Sequence, residues 1–342
     1  MKLATPARST RVLLLAAFVV FGLSTGVLAD LTAGDSYAIG SDPTMGQYQA
    51  GVALKNQPGN LTNPGFATGP YNQGSQTSNF QVTAGGLSYP PYGEPASSDG
   101  KVSWIGAAAD NATRSVGRLL NPVPTSSTYW FNILVSQDGT AAPTTNGYVL
   151  SGFGNSVPPL LGTTAGNSEG LFFGFAQHGT ASNAGDLVIR YRSGTATNSD
   201  AILVGGATTN TAAVFDVVAR LDVNYKGGST DYLTYWVNPA ETGSQSDLDS
   251  TSLATNDTSA GSGGSLATLA FQSPSDLARL TYSATNWTGH ANFDEPRLGT
   301  ALADVVPALT SVPEPGSLLM LGMGLLGGLG ATARRRARAR AR

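Results

Sequence analysis

The stretch VFDVVARLDVNY (residues 214–225) alternates apolar and polar side chains along most of its length. Successive side chains of a β-strand point to opposite faces of a sheet, so a period of two predicts a strand with one face in a core and the other in solvent. The predicted core face carries Phe215, Val217, Ala219, Leu221, Val223 and Tyr225, and the predicted solvated face carries Asp216, Arg220, Asp222 and Asn224.

Five further runs are rich in aromatic and β-branched residues, which is typical of short strands. They are YWFNILV (129–135), LFFGFAQ (171–177), DLVIRYR (186–192), YLTYWV (232–237) and LARLTYSA (277–284). No segment between residues 30 and 312 carries an apolar stripe of helical period over three turns. Many short strands, 43 glycines and only 12% charged residues predict the all-β class and a single β-sandwich.

The segment 241–265 is small and polar and shows no periodicity. A structureless loop of that length is uncommon inside a compact domain. We expect a mobile surface loop between two strands rather than a domain linker, because strand-like sequence follows it.

Charge is distributed unevenly along the chain. Of the 19 Lys and Arg, three lie close to the N-terminus and six close to the C-terminus, which leaves 10 against all 22 Asp and Glu between positions 30 and 333. This body therefore carries a net charge of −12, which argues against nucleic acid as a partner. The absence of cysteine excludes a disulfide framework, so stability has to come from a hydrophobic core.

The C-terminal segment 316–333 holds 18 uncharged, mostly apolar residues. A helix of that length spans about 27 Å, close to the ~30 Å hydrocarbon core of a bilayer. A run of arginines follows and predicts a cytoplasmic stop: Arg334, Arg335, Arg336, Arg338, Arg340 and Arg342. The alternative is a basic tail that binds nucleic acid, but such a tail has no use for an apolar span.

The N-terminal segment 1–29 has the pattern of a signal peptide. Lys2, Arg8 and Arg11 precede an apolar stretch, and small residues lead up to predicted cleavage between Ala29 and Asp30. An uncleaved anchor is the alternative.

The order of a short turn, an apolar span and a terminal arginine cluster resembles the PEP-CTERM sorting signal. The turn consists of Val312, Pro313, Glu314 and Pro315. The resemblance implies an exosortase, a membrane-embedded cysteine protease-transpeptidase, as the processing partner. It also implies a precursor held transiently in the inner membrane and a mature form at the cell surface or outside the cell.

The body is similar to concanavalin A-like (LamG-type) jelly-roll domains. The similarity rests on VFDVVARLDVNYKGGSTDYLTYWVNP and on ANFDEPRLGTALADVVP, with STYWFNILVS as an earlier core strand. It implies a jelly-roll sandwich over residues 30–307, followed by a linker and sorting signal at 308–342. Pro296 departs from the pattern, and a proline cannot donate to a ladder, so its strand should be bulged or at an edge.

No catalytic residue is assigned. Jelly-roll glycoside hydrolases need two nearby carboxylates, and no two of the five glutamates (94, 169, 241, 295 and 314) lie within five residues of each other. Asp294 and Glu295 are expected to be a surface turn or strand-end pair. Calcium binding by this pair is the sharper alternative; otherwise no metal or cofactor is expected.

GNSEG (166–170) matches the Gly-x-Ser-x-Gly elbow, but strand-like sequence follows it where a helix is required. His178 and His290 lie beside glycines and are too few for a zinc site. Trp130 and Trp236 lie in apolar runs and should be buried, whereas Trp104 and Trp287 lie near turns and are better candidates for exposure.

These patterns predict a non-catalytic, exported surface or extracellular-matrix protein associated with exopolysaccharide. A lectin-like carbohydrate-binding module is the first alternative. A glycoside hydrolase or lyase with an unrecognised site is the second.

Overall fold

The computed structural model describes most of the predicted body but neither end of the chain. The described residues are 33–35, 37–40, 47–55, 57, 65–67, 70–71, 79–89, 100–106, 114–121, 125–138, 147–155, 170–177, 185–192, 199–205, 213–223, 231–238 and 277–306. The segment 241–265, the signal peptide, the apolar span and the arginine run lie outside them. Among the described residues, no helix is long and apolar enough to cross a membrane.

Two antiparallel sheets form a β-sandwich, as predicted. The larger has eight strands in the order β12-β11-β6-β14-β4-β3-β2, with β1 paired to β14. Its strands are β1 (Ala33–Gly34), β2 (Val52–Ala53), β3 (Phe80–Ala84), β4 (Gly100–Trp104), β6 (Thr128–Asp138), β11 (Val214–Asp222), β12 (Tyr232–Val237) and β14 (His290–Gly299).

The smaller sheet has six strands in the order β10-β9-β8-β7-β13-β5. They are β5 (Arg114–Leu119), β7 (Tyr148–Gly154), β8 (Gly170–Ala176), β9 (Asp186–Arg192), β10 (Ser199–Val204) and β13 (Arg279–Thr285). One short helix, α1 (Leu302–Val305), follows β14. Each run that the sequence predicted as a strand contains one. Strand β11 ends at Asp222 and β13 begins only at Arg279, and residues 224 and 225 lie outside the described part of the chain.

The main core lies between the sheets and is filled by alternate residues of each strand. On β11 these are Phe215, Val217, Ala219 and Leu221, as the period of two predicts. Ile133 and Phe131 of β6 lie beside them in the same sheet. The rings of β8 face them from the other sheet, with Phe175 at 6.4 Å from Phe215.

The opposite face of β11 is covered, and the prediction that this face lies in solvent is wrong. Asp216 is fully buried and Asp222 is 9% exposed. Val218 packs in a second apolar cluster with Trp130, Trp236, Val305 and Val306. Helix α1 folds back after β14 and covers Val218, while Leu87 and Tyr89 pack on Leu134 and Val214 elsewhere on this face.

The return of the chain at α1 depends on Gly299 and Asp304. The Asp304 carboxylate accepts hydrogen bonds from the backbone N–H of Thr300 (2.9 Å) and Ala301 (2.7 Å). A Cβ at Gly299 would lie only 2.3 Å from the Cβ of Asp304, so a larger residue would push the helix away. This turn brings Val305 and Val306 onto the two tryptophans.

Strand β14 carries the predicted bulge at Pro296. Its pairing with β6 shifts register between Asp294 and Arg297, and Glu295 has a positive φ of 48°. The strand is not at an edge, because β6 and β4 flank it. The bulge removes Pro296 from the ladder, and its carbonyl accepts a hydrogen bond from the Asp35 N–H (3.3 Å).

Candidate functional site

An open pocket lies on the outer face of the eight-stranded sheet, where β3, β4 and β14 run side by side. Its volume is about 240 Å³, and its described lining is Thr83, Ala84, Lys101, Ser103, Ile105, His290 and Asn292. The alternate residues of the same strands, including Val82, Val102, Trp104, Ala291 and Phe293, belong to the main core. Strand alternation therefore aims the polar set away from the core.

The floor of the pocket is a chain of hydrogen bonds across four strands. The Ser103 hydroxyl donates to Asn292 Oδ1 (2.6 Å), and Asn292 Nδ2 donates to Ser136 Oγ (3.1 Å). Thr83 Oγ1 lies 2.6 Å from Ser103 Oγ. Because Ser103 gives its proton to Asn292, Thr83 must be the donor in that contact, which leaves the lone pairs of Thr83 as acceptors.

Buried neighbours hold this floor rigid. Ser103, Asn292 and Ser136 are 6%, 1% and 4% exposed, and Thr83 is half-buried. The pairing of Asn292 with Ser103 in the β14–β4 ladder fixes their positions. A preformed polar floor with a fixed direction of donors and acceptors is typical of small-ligand sites.

Two nitrogen bases stand at opposite ends of the floor. Lys101 precedes Ser103 by two residues on β4, and His290 precedes Asn292 by two residues on β14. Because the two strands are antiparallel, Lys101 and His290 lie on opposite sides of the Ser103–Asn292 pair. Lys101 is half-buried and His290 is exposed. The arrangement offers hydroxyl, amide and cationic groups to a polar ligand.

The sequence analysis did not single out this pocket. The signal was present as alternation in FQVTA, GKVSW and HANFD, where every second residue is polar. The order of strands in the sheet brings β3, β4 and β14 together, although β3 and β14 come from distant parts of the chain. The sequence does not display that order.

The tryptophans proposed for exposure are buried, and that prediction is wrong. Trp104 is 4% exposed and donates its Nε1–H to the Trp287 carbonyl (3.0 Å). Trp287 is 2% exposed and stacks on Phe175 at a centroid distance of 6.3 Å. Both side chains belong to the main core, although turns lie near them in the sequence. Neither ring can stack on a sugar.

Trp130 and Trp236 are buried, as predicted, but outside the main core. Their rings stack at 5.8 Å with an interplanar angle of 12° on the outer face, beneath α1.

Asp294 and Glu295 do not form a surface turn or strand-end pair, so that interpretation is wrong. Asp294 is 1% exposed in the middle of β14, and its Oδ2 accepts the Leu87 N–H (2.6 Å). Glu295 points elsewhere because of the bulge, and its carboxylate pairs with Arg297. No group of three or more possible metal ligands occurs among the residues that the structure describes.

The motif GNSEG lies outside the described residues except for Gly170, which begins β8. The predicted strand after it is confirmed. His178 also lies outside the described residues.

A second polar cluster lies at the β5 edge of the main core. Asp35 accepts hydrogen bonds from the hydroxyls of Tyr48 and Tyr71 (3.1 Å to Tyr71), and its Oδ2 lies 3.8 Å from Arg118 Nη1. Tyr282 packs against Tyr71 at 6.2 Å. Burial raises the pKa of all three tyrosines well above its usual value, and the Asp35 carboxylate raises it further. Since every member is buried, this cluster is closed to ligands.

The predicted processing residues lie outside the described part of the chain. These are Ala29 and Asp30 at the signal-peptide site, Val312 to Pro315 in the turn, and the six arginines. The described chain begins at Ala33 and ends at Val306, just inside both processing regions.

Comparisons with known proteins identify the sorting signal but assign no family to the β-sandwich. Residues 311–336 match the family model described as the PEP-CTERM protein-sorting motif. This match confirms the predicted motif, which directs exosortase-dependent sorting to the surface from a membrane-anchored precursor. No curated protein sequence matches the chain.

Solved structures with a similar fold include two lyases and a cellulose-induced protein. Alginate lyase Aly36B is 12% identical (TM-score 0.29, 64% of this chain and 86% of that chain). The marine PL-14 alginate lyase from Aplysia kurodai is 10% identical (TM-score 0.35, 65% and 87%). Cellulose induced protein Cip1 is 12% identical (TM-score 0.36, 78% and 97%). The C-terminal sorting motif is what the comparisons establish about this chain.

Proposed function

We propose that the chain is an exported, non-catalytic protein of the cell surface or extracellular matrix, associated with exopolysaccharide. The observation that carries this proposal is the sorting motif at residues 311–336. An exosortase would recognise the Pro-Glu-Pro turn in an inner-membrane precursor and pass the sandwich outward. The domain itself would be a concanavalin A-like jelly roll over residues 30–307.

The positions of the described ends support this route. Ala33, fully buried in β1, lies four positions after Ala29, so the predicted cleavage would leave a short free N-terminus. Val306 packs on the tryptophan pair, and the predicted apolar span begins ten positions later, at residue 316. At ~3.3–3.6 Å per residue such a linker spans at most about 36 Å, so the precursor would hold the sandwich near the bilayer.

The test is replacement of Pro313, Glu314 and Pro315 by alanine in the native host. We expect an uncleaved protein in the inner-membrane fraction, because the recognition turn is lost while the apolar span remains. Replacement of Leu309 and Thr310 by alanine, just upstream, is the control and should leave processing intact. Normal processing of the triple variant would contradict the sorting proposal. Mass spectrometry of the mature protein fixes both cleavage sites.

The alternative function is a lectin-like carbohydrate-binding module, and the open pocket favours it. Hydroxyl and amide groups on a rigid floor suit the hydroxyl-rich surface of a sugar. The described lining contains no carboxylate, whereas glycoside hydrolysis requires a pair. Turnover of a polysaccharide by the purified protein would instead support the weaker alternative, a hydrolase or lyase.

A further inference from the structure

The pocket contrasts in charge with the body that carries it. Residues 30–333 have a net charge of −12, which repels acidic polymers over a distance of about one Debye length. The described pocket lining, in contrast, holds Lys101 and His290 and no acidic residue. The positive charge of this pocket on an acidic protein therefore calls for a functional explanation.

The arginines whose side chains the structure describes are engaged in contacts within the protein. Arg118 lies beside Asp35, Arg190 beside Asp200, Arg220 beside Asp222 and Arg297 beside Glu295. Arg114 and Arg279 have contacts of their own. Among the described residues whose side chains are placed, the basic ones without a hydrogen bond or ion pair are Lys55, Lys101 and His290. Of the two lysines, Lys101 lines the pocket and Lys55 does not.

The nearest described acidic side chain does not engage Lys101. Asp294 follows Asn292 on the same face, but its carboxylate accepts the backbone N–H groups of Leu87 and Glu295. The Lys101 ammonium therefore remains available to a ligand.

We propose that this pocket binds an acidic polysaccharide, with Lys101 selecting sugar units that carry a carboxylate. The inference rests on the proposed association with exopolysaccharide and names the class of glycan. An ammonium–carboxylate hydrogen bond is roughly twice as strong as a neutral one, which gives the selectivity its physical basis. Thr83, which Ser103 and Asn292 hold in place, would contact the ring hydroxyls.

Spacing along the sheet suits a polymer rather than a single sugar. Lys101 and His290 are offset by four residues along the strands, which is about 13 Å at ~3.3 Å per residue. One sugar ring does not reach both ends. A chain lying along β4 would place different units of the polymer at the two bases.

The test compares two ligands that differ only at the sugar C6. The full chain, purified in a zwitterionic detergent, is titrated with β-1,4-linked oligoglucuronate and with a cellulose oligomer of equal length. We expect the glucuronate oligomer to bind about tenfold tighter or better, and Lys101→Gln to remove that preference. Lys101→Arg should retain it, because the charge is kept. Lys55→Gln removes the same charge outside the pocket and should leave binding unchanged.

The outcomes separate the two proposals. If neither oligomer binds, both the carbohydrate-binding function and this inference are wrong, and the sorting proposal stands. If both bind equally and Lys101→Gln has no effect, carbohydrate binding stands and selection of acidic sugars is overturned. Equal losses in Lys55→Gln and Lys101→Gln would also overturn it, because they would show non-specific attraction.

Discussion

The two polar regions of this sandwich, the Asp35 cluster and the pocket on β3, β4 and β14, differ in their access to solvent. The Asp35 cluster is enclosed by aromatic rings, and its carboxylate is used by Tyr48, Tyr71 and Arg118. The pocket on β3, β4 and β14 is open, and its lysine is used by no described residue. A polar cluster that is closed to solvent stabilises a core, whereas a polar region that is open to solvent can bind a ligand.

Removing the carboxylate of the closed cluster should have the largest effect. Asp35→Ala should lower the free energy of unfolding by about 3–5 kcal/mol, because it leaves the buried Arg118 without this partner. Asp35→Asn keeps the acceptor for Tyr37 N–H (3.1 Å) and should cost less. Denaturant unfolding of both variants measures the difference. An Asp35→Ala variant as stable as the wild type would mean that the cluster does not stabilise the fold.

Two adjacent residues of β11, Leu221 and Arg220, allow the stability contributions of a buried and a partly exposed side chain to be compared. Leu221→Ala should cost about 2–5 kcal/mol, because Leu221 is fully buried in the main core. Arg220 is 34% exposed, pairs with Asp222 and lies 5.7 Å from the Trp130 ring, so Arg220→Ala should cost about 1 kcal/mol. Denaturant unfolding measures both losses of stability. Equal losses would contradict the account in which Leu221, but not Arg220, is buried in the main core.

High pH should open the closed cluster. The pKa values of Tyr48, Tyr71 and Tyr282 are raised in the folded state by burial and by Asp35. Above about pH 10 the unfolded chain therefore loses these protons first, and stability falls as pH rises toward the folded pKa values. Each unit of difference corresponds to about 1.4 kcal/mol. Tyrosinate absorbance reports deprotonation, and circular dichroism reports loss of the fold. The two signals should change over the same pH range for these residues. Titration of all tyrosines while the fold remains intact would contradict the prediction.

The open region should tolerate substitution without loss of stability. Lys101→Gln should change the free energy of unfolding by no more than about 0.5 kcal/mol, because the side chain is half-exposed and makes no described contact. Thermal unfolding beside the wild type measures this. A loss as large as that expected for Leu221→Ala would show that Lys101 is structural.

Local patterns predicted the strands but not what covers them. The alternation in 214–225 correctly placed Phe215 and Leu221 in the core, because a period of two is a local property of the backbone. It gave no sign that α1 would close the other face over Val218, since that contact joins distant parts of the chain. The bulge at Pro296 was predictable because proline lacks an N–H.

Sites depended on distant pairings that sequence does not display. Asp35 and Arg118 meet only because the N-terminal segment packs beside β5. Likewise, Thr83 and Asn292 become neighbours through the sheet order β14-β4-β3. The sorting signal is the exception, because its features are consecutive in the chain and need no fold to be read.

Oligoglucuronate binding by the folded Asp35→Asn and Lys101→Gln variants tests the contrast most directly. If the closed cluster supports the fold and the open pocket holds the ligand, Asp35→Asn should melt at a lower temperature yet bind like the wild type while folded. Lys101→Gln should melt like the wild type and lose about tenfold or more in affinity. Wild-type affinity in Lys101→Gln, or lost binding in folded Asp35→Asn, would contradict this division of roles.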